Sequence, residues 1–202
     1  MNPPLILASA SPRRSELLTK LGVRFRVHPA DIDESVLPGE APTDYVQRMA
    51  GEKAARVASV YSEQISAVLA ADTTVVIDGA VLGKPVDHSH GLAMLSRLSG
   101  RAHEVTTAIC LVAGGEVLAR QVTTRVDFAN LTSAQCQAYL ATDEPWDKAG
   151  AYGIQGLAGA FVRRIEGSYS NVVGLPLHET WQLLAASGIP TLLGVPELHG
   201  DE

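Results

Sequence analysis

The fold is first indicated by the stretch LILASASPRRSELL, residues 5–18. Its four leading apolar residues, 5–8, are typical of a short buried strand, and Ser11 followed by Pro12 is typical of a helix start that the serine side chain caps. Leu17 and Leu18 belong to an apolar helical face, and Gly22 ends the helix. A strand, a serine-rich turn and a helix N-terminus in this order expose backbone N–H groups that can hold an anion.

Helical and strand patterns alternate through the rest of the chain. Further helices are predicted around residues 46–57, 88–98, 132–140 and after Pro176. Strands are predicted at 23–27, 68–77, 81–82, 105–112, 117–126 and 161–165, with hairpin turns at 78–79 and 114–115. Hairpins and crossovers together predict an α/β fold with a mixed, twisted sheet.

The 202 residues, 46% hydrophobic and 19% charged, suit a single domain over 1–202 in which 189–202 form a surface tail. Only Cys110 and Cys136 are present, without metal-ligand spacing, which excludes a disulfide scaffold and argues against a structural zinc site. Both cysteines are expected to be buried, in a protein of a reducing compartment.

Charge and chain start bear on location and partners. No basic residue precedes the short apolar run at 5–8, so we expect no signal peptide, no membrane partner and a cytoplasmic location. The net charge of −6, from 16 basic and 22 acidic residues, argues against broad nucleic-acid binding. Basic residues outnumber acidic ones only locally, within 1–30, which leaves room for a local anion site.

Hydroxyls and guanidiniums surround the predicted helix start at 9–16. Guanidinium forks match phosphate oxygens two at a time, so Arg13 and Arg14 suit a phosphate site, although a capped surface helix with solvated arginines has the same pattern. Two lysines add to the phosphate interpretation. Lys53 lies among alanines on a predicted helix, and Lys84 stands between Gly83 and Pro85 in a rigid turn.

Asp72 lies inside a strongly apolar β-run. Burying its charge is costly unless a metal or cation is near, so it suits a residue that holds Mg²⁺ or takes a proton from water; a turn or capping aspartate is the alternative. Glu34, in the acidic segment 31–34, is either a second carboxylate of the same site or part of a solvated turn.

Several phosphate and catalytic motifs are absent. The segment 79–85 is one residue short of a P-loop and has Pro85 where Ser or Thr would bind Mg²⁺. Gly150, Gly153 and Gly156 are spaced by three and do not form the dinucleotide fingerprint. The chain also has neither a GxSxG elbow nor an HExxH helix.

Five motifs occur in an order and spacing found together in one family. They are LASASPRR at 7–14, EKA at 52–54, ADT at 71–73, GKP at 83–85 and DKAGAYGIQG at 147–156. On these motifs the chain resembles the Maf family of nucleoside triphosphate pyrophosphatases, over nearly its whole length.

The resemblance implies a fold similar to the inosine triphosphate pyrophosphatases, with an elongated mixed sheet in two lobes around a central cleft. It implies an enzyme that cleaves a nucleoside triphosphate to the monophosphate and pyrophosphate with Mg²⁺, or Mn²⁺, as cofactor. Asp72 matches the proton acceptor and Glu34 an acidic position near it, so these two are the candidate metal ligands. The positions that match the family's phosphate site are Ser11, Arg14, Lys53 and Lys84.

The resemblance also bears on the substrate. The branch that prefers dTTP and UTP carries Arg, Thr and Gln at the positions of Arg13, Thr73 and Gln155, as this chain does. Three alternatives stay open: a pyrophosphatase acting on 7-methyl-GTP or a broader set of nucleotides, a nucleotide-binding regulator of septum formation with little turnover, and a nucleic-acid-binding module. Relatives are commonly dimers, so a homodimer is a further expectation.

Overall fold

A computed structural model describes residues 5–61 and 67–194. In these ranges the strands are β1 Leu5–Leu7, β2 Phe25–Val27, β3 Ala67–Ile77, β4 Ala80–Leu82, β5 Ala102–Ala113, β6 Glu116–Phe128 and β7 Val162–Glu166. The helices are α1 Pro12–Lys20, α2 Pro42–Tyr61, α3 His88–Leu98, α4 Ser133–Leu140, α5 Tyr169–Val173 and α6 Leu177–Ala186. Two 3₁₀ turns, Ala149–Ala151 and Leu157–Phe161, lie between α4 and β7.

The strands form one mixed sheet in the order β2-β1-β3-β5-β6-β7, with β4 paired to the far end of β3. β1 runs parallel to β2 and β3, whereas the remaining pairs are antiparallel. The mixed α/β sheet predicted from the sequence is therefore confirmed. Two of its three long strands, β3 and β5, pair over ten residues and form the spine of the molecule.

Three apolar cores form along this spine. In the first half of β3, Leu69 and Ala71 face a core closed by α1 and α6, while Val68 and Ala70 face the opposite core closed by α2. Val75, further along β3, belongs to a third core built with α3, α4 and the 3₁₀ turns. Residues 72–74 therefore lie where the cores meet, and a cleft opens at this junction.

Most local predictions are confirmed. Asp78 and Gly79 have φ values of 55° and 73°, the conformation of a tight hairpin turn. Thr132 and Gln135 form the complete capping box before α4. Cys110 and Cys136 are both free and buried.

Three features differ from or add to the sequence-based expectations. The predicted strand at 23–27 is shorter, because Val23 packs into a core before β2 begins. Helix α5, capped by Ser168, was not predicted because five residues are too few to show a helical period. In the predicted tail, Ile189 packs against a core and the N–H of Leu192 donates to Leu21; residues 195–202 lie outside the described ranges.

Candidate active site

All nine site residues predicted from the sequence line one cavity of about 550 Å³ at the junction of the cores. They come from segments far apart in the chain, and the sheet brings them together. These residues are Ser11, Arg13, Arg14, Glu34, Lys53, Asp72, Thr73, Lys84 and Gln155.

A buried ion pair lies in this cavity. The Nζ of Lys53 is 2.7 Å from Oδ1 of Asp72 and 2.6 Å from Oε1 of Glu34, so one ammonium joins the two carboxylates. Asp72 and Lys53 are both buried, whereas the Glu34 side chain is half-exposed. The charge compensation that the apolar surroundings of Asp72 require is thus supplied by Lys53.

Lys53 reaches this position because α2 is amphipathic. Its core-facing residues include Ala50 and Ala54, and these small neighbours leave space for the lysine stem on the buried face. The ammonium emerges where β3 passes beneath α2. Lys53 was predicted to contact phosphate, but in this structure its ammonium is engaged by two carboxylates.

The segment that carries Glu34 is held against α2 by polar contacts. Tyr45 donates its hydroxyl proton to the Glu34 carbonyl at 3.0 Å, and Arg48 donates to the Ser35 carbonyl at 2.9 Å. Arg48 also forms two short hydrogen bonds to the Glu40 carboxylate. Glu34 is therefore part of the cleft wall, as the first of its two interpretations required, and its backbone is fixed.

Electrostatics in the cleft favour the charged form of Glu34. Burial raises the pKa of this carboxyl. The hydrogen bond and charge of Lys53, together with the charges of Lys84 and Arg14, lower the pKa by a larger amount, so the net pKa is below the usual range. Burial, together with the charges of Asp72 and Glu34, raises the pKa of Tyr45 to about 12. The tyrosine hydroxyl is therefore protonated at neutral pH and donates.

Arg14 lies in the cleft and has no acidic partner among the described residues. Its Nε donates to the Gly174 carbonyl at 2.8 Å, and its two terminal nitrogens donate to Ser9 Oγ and Thr73 Oγ1 at 3.1 and 3.0 Å. Within residues 5–61 and 67–194, no carboxylate lies within ion-pair distance of this guanidinium. Burial lowers its pKa, although the charge of Asp72 opposes this effect.

The start of α1 also faces the cleft. Ser11 occupies the N-cap position, but its side chain makes no capping hydrogen bond, so the predicted cap is wrong in this respect. Its N–H donates to Ser9 Oγ at 3.2 Å instead. Because the cap is not made, first-turn N–H groups and the Ser11 hydroxyl have no capping contact within the described ranges and can bind an anion.

The remaining predicted residues lie around the cleft opening. Lys84 is exposed, and its turn is tied to the glycine-rich segment by a hydrogen bond from the Gly150 N–H to the Gly83 carbonyl at 3.0 Å. Arg13 forms an ion pair with Asp147 at 3.2 Å. Gln155 is exposed and follows Ile154, which packs against two of the cores.

The donor set fits a magnesium ion. Mg²⁺ is commonly held by one or two carboxylates together with substrate phosphates and water, and Glu34 and Asp72 place two carboxylates in one cavity. Of the two carboxylate oxygens of Asp72, only Oδ1 accepts a hydrogen bond from the described residues. No cluster of three or more metal-ligating side chains occurs among the described residues, so a metal here would depend on further oxygen ligands.

Three contributors to the site were not predicted from the sequence. Thr107 hydrogen-bonds to Thr73, Tyr45 anchors the Glu34 segment, and Gly174 accepts from Arg14. Tyr45 lies four residues before the buried Met49 of α2, so helical spacing could have placed it on the buried face. Thr107 and Gly174 depend on sheet register and on α5, which carry no local signal.

This geometry defines a class of protein: a mixed α/β fold with a polar cleft, in which cations and carboxylates from distant segments line a volume that suits a nucleotide. The profile of the family described as Maf-like protein matches residues 4–187, and the chain belongs to this family. No helix in the described ranges is long and apolar enough to cross a membrane.

Several curated relatives are more than 50% identical to this chain over the aligned residues. A protein of Hahella chejuensis named dTTP/UTP pyrophosphatase is 54% identical over 92% of both chains. A protein of Anaeromyxobacter dehalogenans with the same name is 53% identical over 94% of this chain and 97% of the relative.

One solved structure has a lower similarity to this chain. The nucleoside-triphosphatase / dITP/XTP pyrophosphatase of Mycobacterium abscessus is 20% identical and covers 63% of this chain and 75% of its own, with a TM-score of 0.41. That score is too low to define the fold, which rests on the sheet order given above.

Proposed function

We propose that this protein is a nucleoside triphosphate pyrophosphatase that hydrolyses dTTP and UTP to the monophosphate and pyrophosphate. The observation that carries the proposal is Arg14, a partly buried guanidinium that has no carboxylate partner among the described residues and faces the same cavity as the Asp72 carboxylate. A partly buried guanidinium without a carboxylate partner favours an anionic ligand. The names of the relatives described above support the nucleotide and the reaction.

Cationic groups would hold the triphosphate. Arg14 has two N–H groups left after its three contacts with described residues, and Lys84 adds an exposed ammonium at the cleft opening. The uncapped start of α1 and the Ser11 hydroxyl offer further donors. These donors neutralise charge that develops on the phosphoryl oxygens and on the leaving pyrophosphate.

Asp72 would act as the proton acceptor. Its carboxylate orients a water molecule and takes a proton as the water oxygen bonds to the α-phosphorus; the bond from that phosphorus to the bridging oxygen breaks, and pyrophosphate leaves with the electron pair. Lys53 holds Asp72 in place through Oδ1, which leaves Oδ2 to face the water. Lys53 is therefore a positioning residue in this proposal as well as a source of positive charge.

Glu34 and Asp72 are the residues that would hold a divalent cation, Mg²⁺ or Mn²⁺. Such a cation, when bound, supplies further neutralisation of the phosphate charge and makes a bound water more acidic. Gln155, Arg13 and Thr73 would contact the nucleoside. The Gln155 amide offers both a donor and an acceptor, which complements the edge of thymine or uracil.

Two other functions remain as alternatives, each with an observable difference. A pyrophosphatase of 7-methyl-GTP or of many nucleotides would show a different substrate profile with the same products. A nucleotide-binding regulator would bind a nucleotide in Mg²⁺ and release little product. The Asp72–Lys53 pair argues for turnover, because a binding protein does not need a carboxylate in an anion site, where it repels phosphate.

The test is a panel of nucleoside triphosphates assayed with Mg²⁺ for wild type and Asp72→Asn, with monophosphate plus pyrophosphate resolved from diphosphate plus phosphate. We expect wild type to release pyrophosphate from dTTP and UTP, and Asp72→Asn to lose at least about a hundredfold in kcat while still binding dTTP. Equal rates for the two proteins would exclude Asp72 as the base. Binding without turnover by wild type would favour the regulator.

A further inference from the structure

Thr107 is a fully buried hydroxyl that none of the family motifs includes. It lies on β5, directly opposite Thr73 of β3 in the antiparallel register, and the two Oγ1 atoms are 2.9 Å apart. Cross-strand threonine pairs at such positions commonly share a hydrogen bond. Thr73 lines the cleft, so Thr107 contacts the site from behind it.

The direction of this hydrogen bond follows from its neighbours. Thr107 Oγ1 is 3.0 Å from the Asn171 carbonyl, which can only accept, and Thr73 Oγ1 is 3.0 Å from a terminal nitrogen of Arg14, which can only donate. Each hydroxyl has a single proton. Only one arrangement satisfies all three contacts: Arg14 donates to Thr73, Thr73 to Thr107, and Thr107 to Asn171.

The acceptor at the end of this chain is itself fixed. The Asn171 amide donates to the Val105 carbonyl at 2.9 Å and to Thr124 Oγ1 at 2.8 Å, and the residue is completely buried. These contacts tie α5 to β5 and β6. The Asn171 carbonyl therefore stays within hydrogen-bond distance of Thr107, and the Thr107 hydroxyl proton points toward it and away from Thr73.

The consequence concerns what Thr73 can offer to a ligand. Its proton is committed to Thr107 and one lone pair accepts from Arg14, which leaves one lone pair. Toward the cleft, Thr73 is an acceptor only. A phosphoryl oxygen without a proton cannot satisfy it, whereas a ligand N–H or O–H can.

We propose that Thr107 is a specificity-positioning residue: it holds the Thr73 proton, so Thr73 selects a hydrogen-bond donor on the nucleoside part of the substrate. This inference rests on the proposed function. In dTTP and UTP the available donors are the N3–H of the base and the sugar hydroxyls. Cytosine has the same ring size as uracil but carries an acceptor at N3, so a comparison of UTP with CTP tests whether the N3–H of the base is the selected donor.

The experiment compares kcat/KM for UTP and CTP in wild type, Thr107→Val and Thr107→Ser. Valine has the shape of threonine without the hydroxyl, which releases the Thr73 proton and lets Thr73 donate. We expect the UTP-to-CTP ratio to fall about tenfold in Thr107→Val, the effect of one neutral hydrogen bond, and to stay near wild type in Thr107→Ser. The ratio is independent of the fraction of folded protein.

A second substrate pair separates the two donor sources. If the ratio of dTTP to 2′,3′-dideoxythymidine triphosphate changes in Thr107→Val, while UTP to CTP does not, the selected donor is the sugar hydroxyl and the proposal still holds. If neither ratio changes, the proposal is wrong. Should Thr107→Val not fold, Thr107→Ala is measured in the same way.

Failure of the inference is distinguishable from failure of the function. Wild-type turnover of dTTP and UTP with unchanged ratios in the valine variant overturns the role of Thr107 alone. Absence of wild-type turnover overturns the proposed function, and the role of Thr107 falls with it.

Discussion

At the scale of single residues, the cleft is organised by charges that are not independent of one another. Lys53 contacts both Asp72 and Glu34, and the field of Arg14 reaches each of these carboxylates. An isolated carboxylate in the apolar β3 environment would be strongly destabilising. The ion pair makes that carboxylate tolerable, so the same contact serves both folding and the proposed chemistry.

Removing the cation should therefore cost stability. We expect Lys53→Met to lower the free energy of unfolding by about 3 kcal/mol at pH 7, because Asp72 is left buried without its partner. The measurement is urea denaturation followed by circular dichroism. Lys20→Met, an exposed lysine of α1, is the matched control and should change stability by less than about 0.5 kcal/mol.

The double variant identifies the cause of this loss. Adding Asp72→Asn to Lys53→Met removes the unpaired charge and should restore part of the stability. A double variant as unstable as the sum of the two single changes would show that the lysine stem, and not its charge, stabilises α2 against β3.

At the scale of elements, helix boundaries depend on side chains close in sequence. α4 begins with a reciprocal capping box, in which the N–H of Gln135 donates to Thr132 Oγ1 at 3.2 Å and Gln135 Oε1 accepts from the Thr132 N–H at 2.8 Å. α1 begins without such a contact, and its free first turn faces the cleft. The first turn of α4 is therefore stabilised by a side-chain cap, whereas the first turn of α1 has no such cap and can bind an anion.

The cap of α4 gives a prediction at this scale. Thr132→Ala should destabilise the protein by about 1 kcal/mol, since the Gln135 N–H loses its acceptor. Thermal unfolding measures the loss, and Ser133→Ala at the next position is the control. If turnover of dTTP by Thr132→Ala also fell below that of Ser133→Ala, α4 would have an influence on the cleft that its position does not suggest.

At the scale of the whole molecule, stability should depend on pH through one buried histidine. His103 packs edge-on against Phe128 and Tyr152, and its Nε2 lies 2.8 Å from the Tyr152 hydroxyl. Burial lowers its pKa to about 4, although the charge of Asp127 opposes the shift. The folded protein therefore keeps this ring neutral at pH values where the unfolded chain protonates it.

The sign of the effect follows from this difference. The contribution of neutral His103 is fully present above the unfolded pKa of about 6.5 and is lost as pH falls toward 4. Between pH 7.5 and pH 5 we expect wild type to lose about 2 kcal/mol more than His103→Gln, measured by urea unfolding at both values. Equal losses in the two proteins would show that other groups carry the acid sensitivity.

Much of the fold could be predicted from local patterns. Helices α2 and α3 and the hairpin at 78–79 follow from apolar spacing and turn residues, and their boundaries agree with the structure within a few residues. Eight of the nine candidate residues lie in the five motifs, Glu34 lies in the acidic segment 31–34, and all nine line one cavity. The local pattern also showed that Asp72 needs a cationic partner, because an unpaired charge inside an apolar strand is destabilising.

The partners themselves could not be predicted. Arg14 meets the Gly174 carbonyl 160 residues away, and Thr73 meets Thr107 only because β3 and β5 pair in one particular register. Side-chain periodicity reflects interactions within a few residues, whereas these contacts depend on sheet register and helix docking, where one residue of slip exchanges the two faces. The sequence by itself determined most of the elements and the chemical groups of the site; only the tertiary structure decided which group contacts which.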